Sequence, residues 1–190
     1  MAMTTEQLGA ILEPLEFKRS EEQGFYGRWF GDLDAFKDGD GDFCCFVAVD
    51  LAREGATVMF VAPRLYDLSG CKHRAAVLEA CLILAHEMKS LNYEFQADTG
   101  EIRATVEIPV ADSALNEAQV RRAVRLLVSI LDSGDPVIRH AMRSGIIDLD
   151  RVGLKAAEVE RLDREQLVKD LGGIERLRAL ARGQNSGQES

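Results

Sequence analysis

Two patterns of polar and apolar positions dominate the chain. In LNYEFQADTGEIRATVEIP, Tyr93, Phe95 and Ala97 alternate with Glu94, Gln96 and Asp98. Beyond Thr99 and Gly100, Ile102, Ala104, Val106 and Ile108 alternate with Arg103, Thr105 and Glu107. A period of two sends successive side chains to opposite faces of a strand, so this stretch predicts a β-hairpin with one core face and one wet face. In CKHRAAVLEACLILAHEMK the apolar residues Val77, Cys81, Leu84 and Met88 recur at intervals of three and four, with Leu78, Leu82 and Ala85 beside them. That spacing predicts an α-helix with one broad apolar face. A further helix is expected after Asn116, capped together with Gln119, with Val120, Val124, Leu127 and Leu131 as its buried stripe and Gly134 as its end. Asp135 and Pro136 then restart a short helix that closes near Ser144, before Gly145.

The first third reads as a short helix followed by strands. Thr5 to Leu12 places Leu8, Ile11 and Leu12 on one side and stops near Pro14. Strands are predicted at Phe25 to Phe30, with Trp29 in it, at Phe43 to Leu51, and at Ala56 to Ala62, the last ended by Pro63. The runs FCCFVAV and VMFVA are apolar on both faces, so these two strands are expected at the centre of the sheet with a cover on at least one side. The expected fold class is α+β: an antiparallel sheet of about five strands packed with helices, in the order α-β-β-β-α-β-β-α. Residues 1–145 form that domain.

Residues 146–182 read as a helical C-terminal extension. Asp163 and Gln166 make a capping pair, Leu167 and Leu171 share a side, Gly172 and Gly173 interrupt, and Ile174, Leu177 and Leu180 resume an apolar stripe. These helices either pack back on the domain or serve as a docking arm for a dimer mate or another protein. The tail 183–190, GQNSGQES, has almost nothing to bury and is expected to be disordered.

Composition narrows the functions. With 46% hydrophobic residues in 190 positions, one core is expected. A net charge of −9 opposes attraction to nucleic-acid phosphates and anionic lipids, so neither nucleic acid nor membrane is an expected partner. The charge is uneven: residues 151–190 hold 8 Lys and Arg against 7 Asp and Glu, net +1, which leaves 15 against 25, net −10, for residues 1–150. No secretory leader and no run of 18 apolar residues is legible, which points to the cytoplasm. Cys44, Cys45, Cys71 and Cys81 contain no CxxC and read as reduced, mostly buried thiols.

Candidate chemistry is sparse. In KDGDGDFCCF, Asp38, Asp40 and Asp42 alternate with glycines, which suggests a calcium loop. Counted from Asp38, however, the position that needs glycine is Phe43 and the bidentate position is Val49. Cys44 and Cys45 point to opposite faces of a strand and cannot share one ion. The stretch therefore reads as a turn, and neither metal nor cofactor is expected. Cys71, near the start of the long helix and beside Lys72, His73 and Arg74, is the best candidate for a reactive thiol, because a helix start and nearby cations lower a thiol's pKa. Adjacent helix positions do not face one another, so His73 is poorly placed to act on it. His86 and His140 stand apart from any HExxH-type set, and GDGD lacks the Lys and Ser or Thr of a nucleotide loop.

From Leu84 to Leu131 the chain shows a long apolar helix ending in LN, a strand, a D-x-G turn, a strand ending in EIPVAD and a helix of the form VRRAVRLLVSIL. In this pattern it resembles the YbjN family of bacterial proteins, whose domain shares the fold of type III secretion chaperones. The resemblance implies a non-enzymatic, homodimeric protein-binding domain that acts as chaperone, adaptor or regulator and holds a partner segment on apolar surface. Its candidate contact residues are Leu82, Leu84, Met88, Phe46 and Phe60. The alternative is a cysteine-based redox sensor or enzyme that uses Cys71.

Overall fold

The apolar pair of central strands organises the molecule. In the computed structural model, which describes residues 2–88, 91–110, 115–170, 173, 174 and 176, six strands form one antiparallel sheet in the order β1-β2-β3-β4-β6-β5. They are β1 Lys18–Arg19, β2 Tyr26–Phe30, β3 Cys45–Ala52, β4 Thr57–Asp67, β5 Asn92–Phe95 and β6 Glu101–Pro109. The helices are α1 Thr5–Leu12, α2 Arg74–Met88, α3 Glu117–Ser144 and α4 Ala156–Asp170. This is the expected α+β order with one more strand, the two-residue β1. Val49 faces Phe60 across β3 and β4, and Phe60 faces Val106 across β4 and β6. All three are buried, in one core with residues of α1, α2 and α3. The hairpin faces as its alternation requires: Tyr93 pairs with Ala104 on the core side, Glu94 with Arg103 on the other.

β4 runs through Pro63, where the sequence pattern ends it. The ladder to β3 stops at the pair Ala48 and Val61, so the missing N–H of Pro63 costs that side no hydrogen bond. On the other side the register moves from Ala62 opposite Ala104 to Tyr66 opposite Ile102, so β4 carries two additional residues in a bulge. Arg64 takes a left-handed φ of 49° inside it.

α3 is a single helix of 28 residues, where two were expected. Asn116 and Gln119 form the capping box foreseen, and Gly145, φ 74°, closes the far end. Gly134 does not stop the helix; it lets α2 approach, since a Cβ there would come within 3.2 Å of Leu84 Cδ1. Pro136 disturbs the carbonyls one turn back, and the amide of Gly153 donates to the Ser133 carbonyl at 2.8 Å. The bond that Pro136 removes is the one to the Asp132 carbonyl; Gly153 instead ties the following segment to the neighbouring Ser133 carbonyl, and the helix continues through the proline.

The segment after α3 is tied to the domain. Besides Gly153, the amide of Ala156 donates to Asp34 O, Lys155 pairs with Asp34, and the Arg151 side chain is buried. Leu171, Leu177, Leu180 and the tail 183–190 lie outside the described residues.

α2 corrects the expected apolar face. Val77, Ala80, Cys81 and Leu84 are buried, whereas Leu82 is 71% exposed. At about 100° per residue, Leu82 lies roughly 140° from Val77 and 160° from Leu84, on the far side of the helix. Accordingly Leu84→Ala is expected to cost about 2–5 kcal/mol, because it leaves a cavity between α2 and α3. Leu82→Ala should stay within about 0.5 kcal/mol. Urea denaturation of the two variants checks this, and equal costs would refute the assignment of faces.

Candidate functional site

The sheet has one face under helices and one face open. On β3, Cys45, Val47 and Val49 point to the core, so Phe46, Ala48 and Asp50 point away from it. The neighbouring positions on this outer face are Trp29 and Gly27 of β2 and Met59 of β4, by pairing with Phe46, Ala48 and Asp50. Trp29 is 59% exposed, the largest apolar side chain so placed. Its ring lies 5.2 Å from that of Phe46, which in turn meets Phe25 edge-on at 6.2 Å. The Phe46 ring lies across Gly27, and a Cβ at Gly27 would overlap it. A side chain at Gly27 would push the Phe46 ring out of this place over β2.

The same region ends the sheet's pairing. β1 pairs only with Tyr26 and Gly27, so among the described residues Arg28, Trp29 and Phe30 have no strand beyond them. Beside Trp29 lies an open hollow of about 300 Å³, lined by Trp29, Phe46, Pro63, Asp38, Asp40 and Arg64. Aromatic surface, a free strand edge and carboxylates meet here.

The carboxylates belong to the aspartate-rich loop, which is built as a turn. Asp38 Oδ1 accepts the amides of Asp40 and Asp42, both at 3.0 Å, and Oδ2 accepts the thiol of Cys44 at 3.1 Å. These bonds, the thiol's first, hold the Asp38 carboxyl below its usual range. Burial, and then Asp38, push the Cys44 thiol up to about 11. Burial pushes Cys45 and Cys81 up to about 12. The cation of Lys37 lies 4.6 Å from the centre of the Phe43 ring.

α3 holds this loop through two carboxylates one turn apart. Asp132 accepts the backbone amides of Asp34, Ala35 and Phe36 at 3.0, 2.7 and 2.9 Å. Asp135, buried, accepts Arg139 Nε on both oxygens at 2.9 Å and the Tyr66 hydroxyl at 3.0 Å. Arg139 in turn donates to the Lys37 carbonyl at 2.6 Å. Desolvation raises the Asp135 pKa to about 6, against the pull of Arg139 and Tyr66. The Tyr66 hydroxyl is raised far above its usual range, again by burial. The Tyr93 hydroxyl is buried nearby with no hydrogen-bond partner among the described residues. Sequence pattern marks Asp135 as a helix start; the signal for its actual role is Arg139, four residues on and one turn along the same face.

The candidate contact residues divide. Phe60 and Leu84 are committed to the core and present nothing to a partner. Phe46 belongs to the aromatic layer, Leu82 stands exposed on α2, and the Met88 side chain lies outside the described residues. Trp29, the centre of the layer, carries in the sequence only the signal of a strand residue. Cys71 sits three residues before α2 begins and is half-buried; its thiol faces the Met142 carbonyl at 3.9 Å. The His73 ring packs against Gly145, away from any role as base for Cys71. His86 is exposed and His140 half-buried.

No family model matches the chain, and no curated protein matches it. Among solved structures it is similar to YbjN from E. coli, with a TM-score of 0.48 and 14% identity over 71% of this chain and 93% of that one. It is similar to a chain of the HopA1–SchA chaperone–effector complex, with a TM-score of 0.44 and 10% identity over 66% and 88%. A chain of the ExsC–ExsE complex gives 0.45 and 15% over 73% and 96%. These are the kinds of protein to which the sequence pattern pointed.

Two outcomes are expected. Because Asp38 already has its oxygens occupied, millimolar calcium should leave Tm unchanged; a saturable rise that Asp38→Ala removes would overturn the reading of the loop as a turn. For Asp135, the folded pKa of about 6 lies above the ordinary value of 3.8, so the folded state binds the proton more tightly. This group's contribution to stability is complete below about pH 4 and is lost as pH rises through about 6. Urea midpoints of the native chain, relative to Asp135→Asn, should fall across that window and stay level above it; a difference constant from pH 4 to 7 would refute the shift.

Proposed function

We propose that this chain is a non-enzymatic protein-binding module, a chaperone or adaptor, that takes up an apolar and basic segment of a partner protein on the open face around Trp29. The observation that carries this reading is a tryptophan left 59% exposed on a layered aromatic surface, directly beside an unpaired strand edge. An extended segment added there would gain main-chain hydrogen bonds along Arg28–Phe30 and apolar contact with Trp29 and Phe46. Asp38, Asp40 and the net charge of −9 favour basic flanks and disfavour acidic ones. Asp135 and Tyr66, both perturbed by burial, belong to the network that fastens the loop at 34–37, which fits a binding role. Without a partner, the same face is proposed to pair with a second copy of the chain, burying its aromatic layer.

Trp29 is the single tryptophan and therefore reports on its own site. Light scattering should show a concentration-dependent dimer that Trp29→Glu converts to monomer without lowering Tm, and native emission should shift to the blue as the dimer forms. Partner proteins retained by the native chain should be lost with Trp29→Glu and kept with Leu82→Ala. A strict monomer that retains the same proteins as Trp29→Glu would end this reading.

A further inference from the structure

We infer that the trough between α3 and β2, on the helix-covered side of the sheet, binds a small anionic amphiphile: a free fatty carboxylate. The trough encloses about 420 Å³, and its apolar lining includes Phe17, Phe30, Leu33, Val124 and Val128. That volume falls within the range of about 300–1,000 Å³ common to small-ligand sites. Size also selects the kind of occupant. A helix about 10 Å across that advances 5.4 Å per turn displaces roughly 420 Å³ in each turn, so the trough holds about a single turn of a docking helix. One acyl chain is far narrower and can lie along it.

The charge of the lining selects the head group. Arg28, Arg121 and Arg125 all line the trough, a cationic cluster in a chain of net charge −9. Among the described residues Arg125 has no ion-pair partner, and it is exposed. Arg121 pairs with Glu117 and Arg28 with Glu16, and the glutamates are 56% and 77% exposed. Ion pairs so open to water are weak, so Arg121 can turn to an incoming carboxylate, while Arg28, held by the Leu15 carbonyl and over the Phe30 ring, stays as a fixed positive charge in the lining. Asp132, the carboxylate in the lining, is engaged by the three amides of residues 34–36. The basic stretch of this chain at 174–182, with Arg176, Arg178 and Arg182, carries the wrong sign for this rim. Arg28 and Phe30 alternate with Trp29 along β2, so the trough and the aromatic face are separate sites and stand or fall separately.

Calorimetric titration of the full chain with dodecanoate and with dodecyltrimethylammonium tests the inference. One dodecanoate should bind per chain, at least about tenfold more tightly than the cation of equal chain length. Arg125→Glu, at an exposed position that leaves the fold intact, should weaken it by about tenfold or more, and Val128→Trp, which fills the trough, should abolish it. Equal affinity for the two head groups, several molecules per chain, no saturable uptake, or unchanged binding in Arg125→Glu would overturn it. So would association with phosphatidylglycerol vesicles in place of free dodecanoate.

Discussion

The arrangement of the open face depends on two carboxylates in the middle of one helix. Asp132 and Asp135 hold the backbone of residues 34–37, the first by three amides and the second through Arg139. From that anchor the loop carries Phe36 into the core against Tyr66 and delivers Asp38 and Asp40 to the hollow beside Trp29. Charge-assisted hydrogen bonds contribute about 1.5–3 kcal/mol each, but burial of the Asp135 carboxylate takes much of that back. The net gain is small in stability and large in definition: one loop path satisfies all these groups at once.

The helices and the open face follow from how that anchor is supported. α3 runs unbroken through Pro136, which keeps Arg139 one turn beyond Asp135, and the amide of Gly153 ties the segment that follows to the Ser133 carbonyl. α3 lies close to α2 because Gly134 has no side chain. With α1, α2 and α3 sharing one core with the sheet, Trp29 and Phe46 on the outer face remain exposed to various degrees. The fold is thus two layers thick where a third could be accommodated.

The hairpin at 92–109 and the central place of β3 and β4 were legible in the sequence, because burial on one face or on both writes directly into the periodicity. Single-residue signals misled where their meaning depends on the partner. Gly134, Pro136 and Pro63 are all breakers by local rule; in place, they are a contact, a tolerated interruption and part of a bulge. Leu82 reads as core because leucine usually is, and only its angle on the helix shows otherwise. The Asp135, Arg139 and Tyr66 network joins α3 to β4 across 69 residues, a pairing that local pattern does not encode. Trp29 sat in a strand correctly placed, but which face of that strand is open is a property of the whole sheet.

The short β1 covers Tyr26 and Gly27 but leaves Arg28, Trp29 and Phe30 at a sheet margin with no strand beyond them among the described residues. Such a margin invites like strands to stack without end, the route by which soluble proteins become fibrils. Arg28, in the middle of β2, acts as a gatekeeper: bound to the Leu15 carbonyl and to Glu16, it sets a charge where a growing stack would need a neutral residue. Mutual repulsion between chains of charge −9 adds a second brake, one that weakens with salt. Before the loop at 34–38 docks on α3, its aspartates are not yet held beside Trp29, so the margin then lacks the negative charge that the docked loop brings to it.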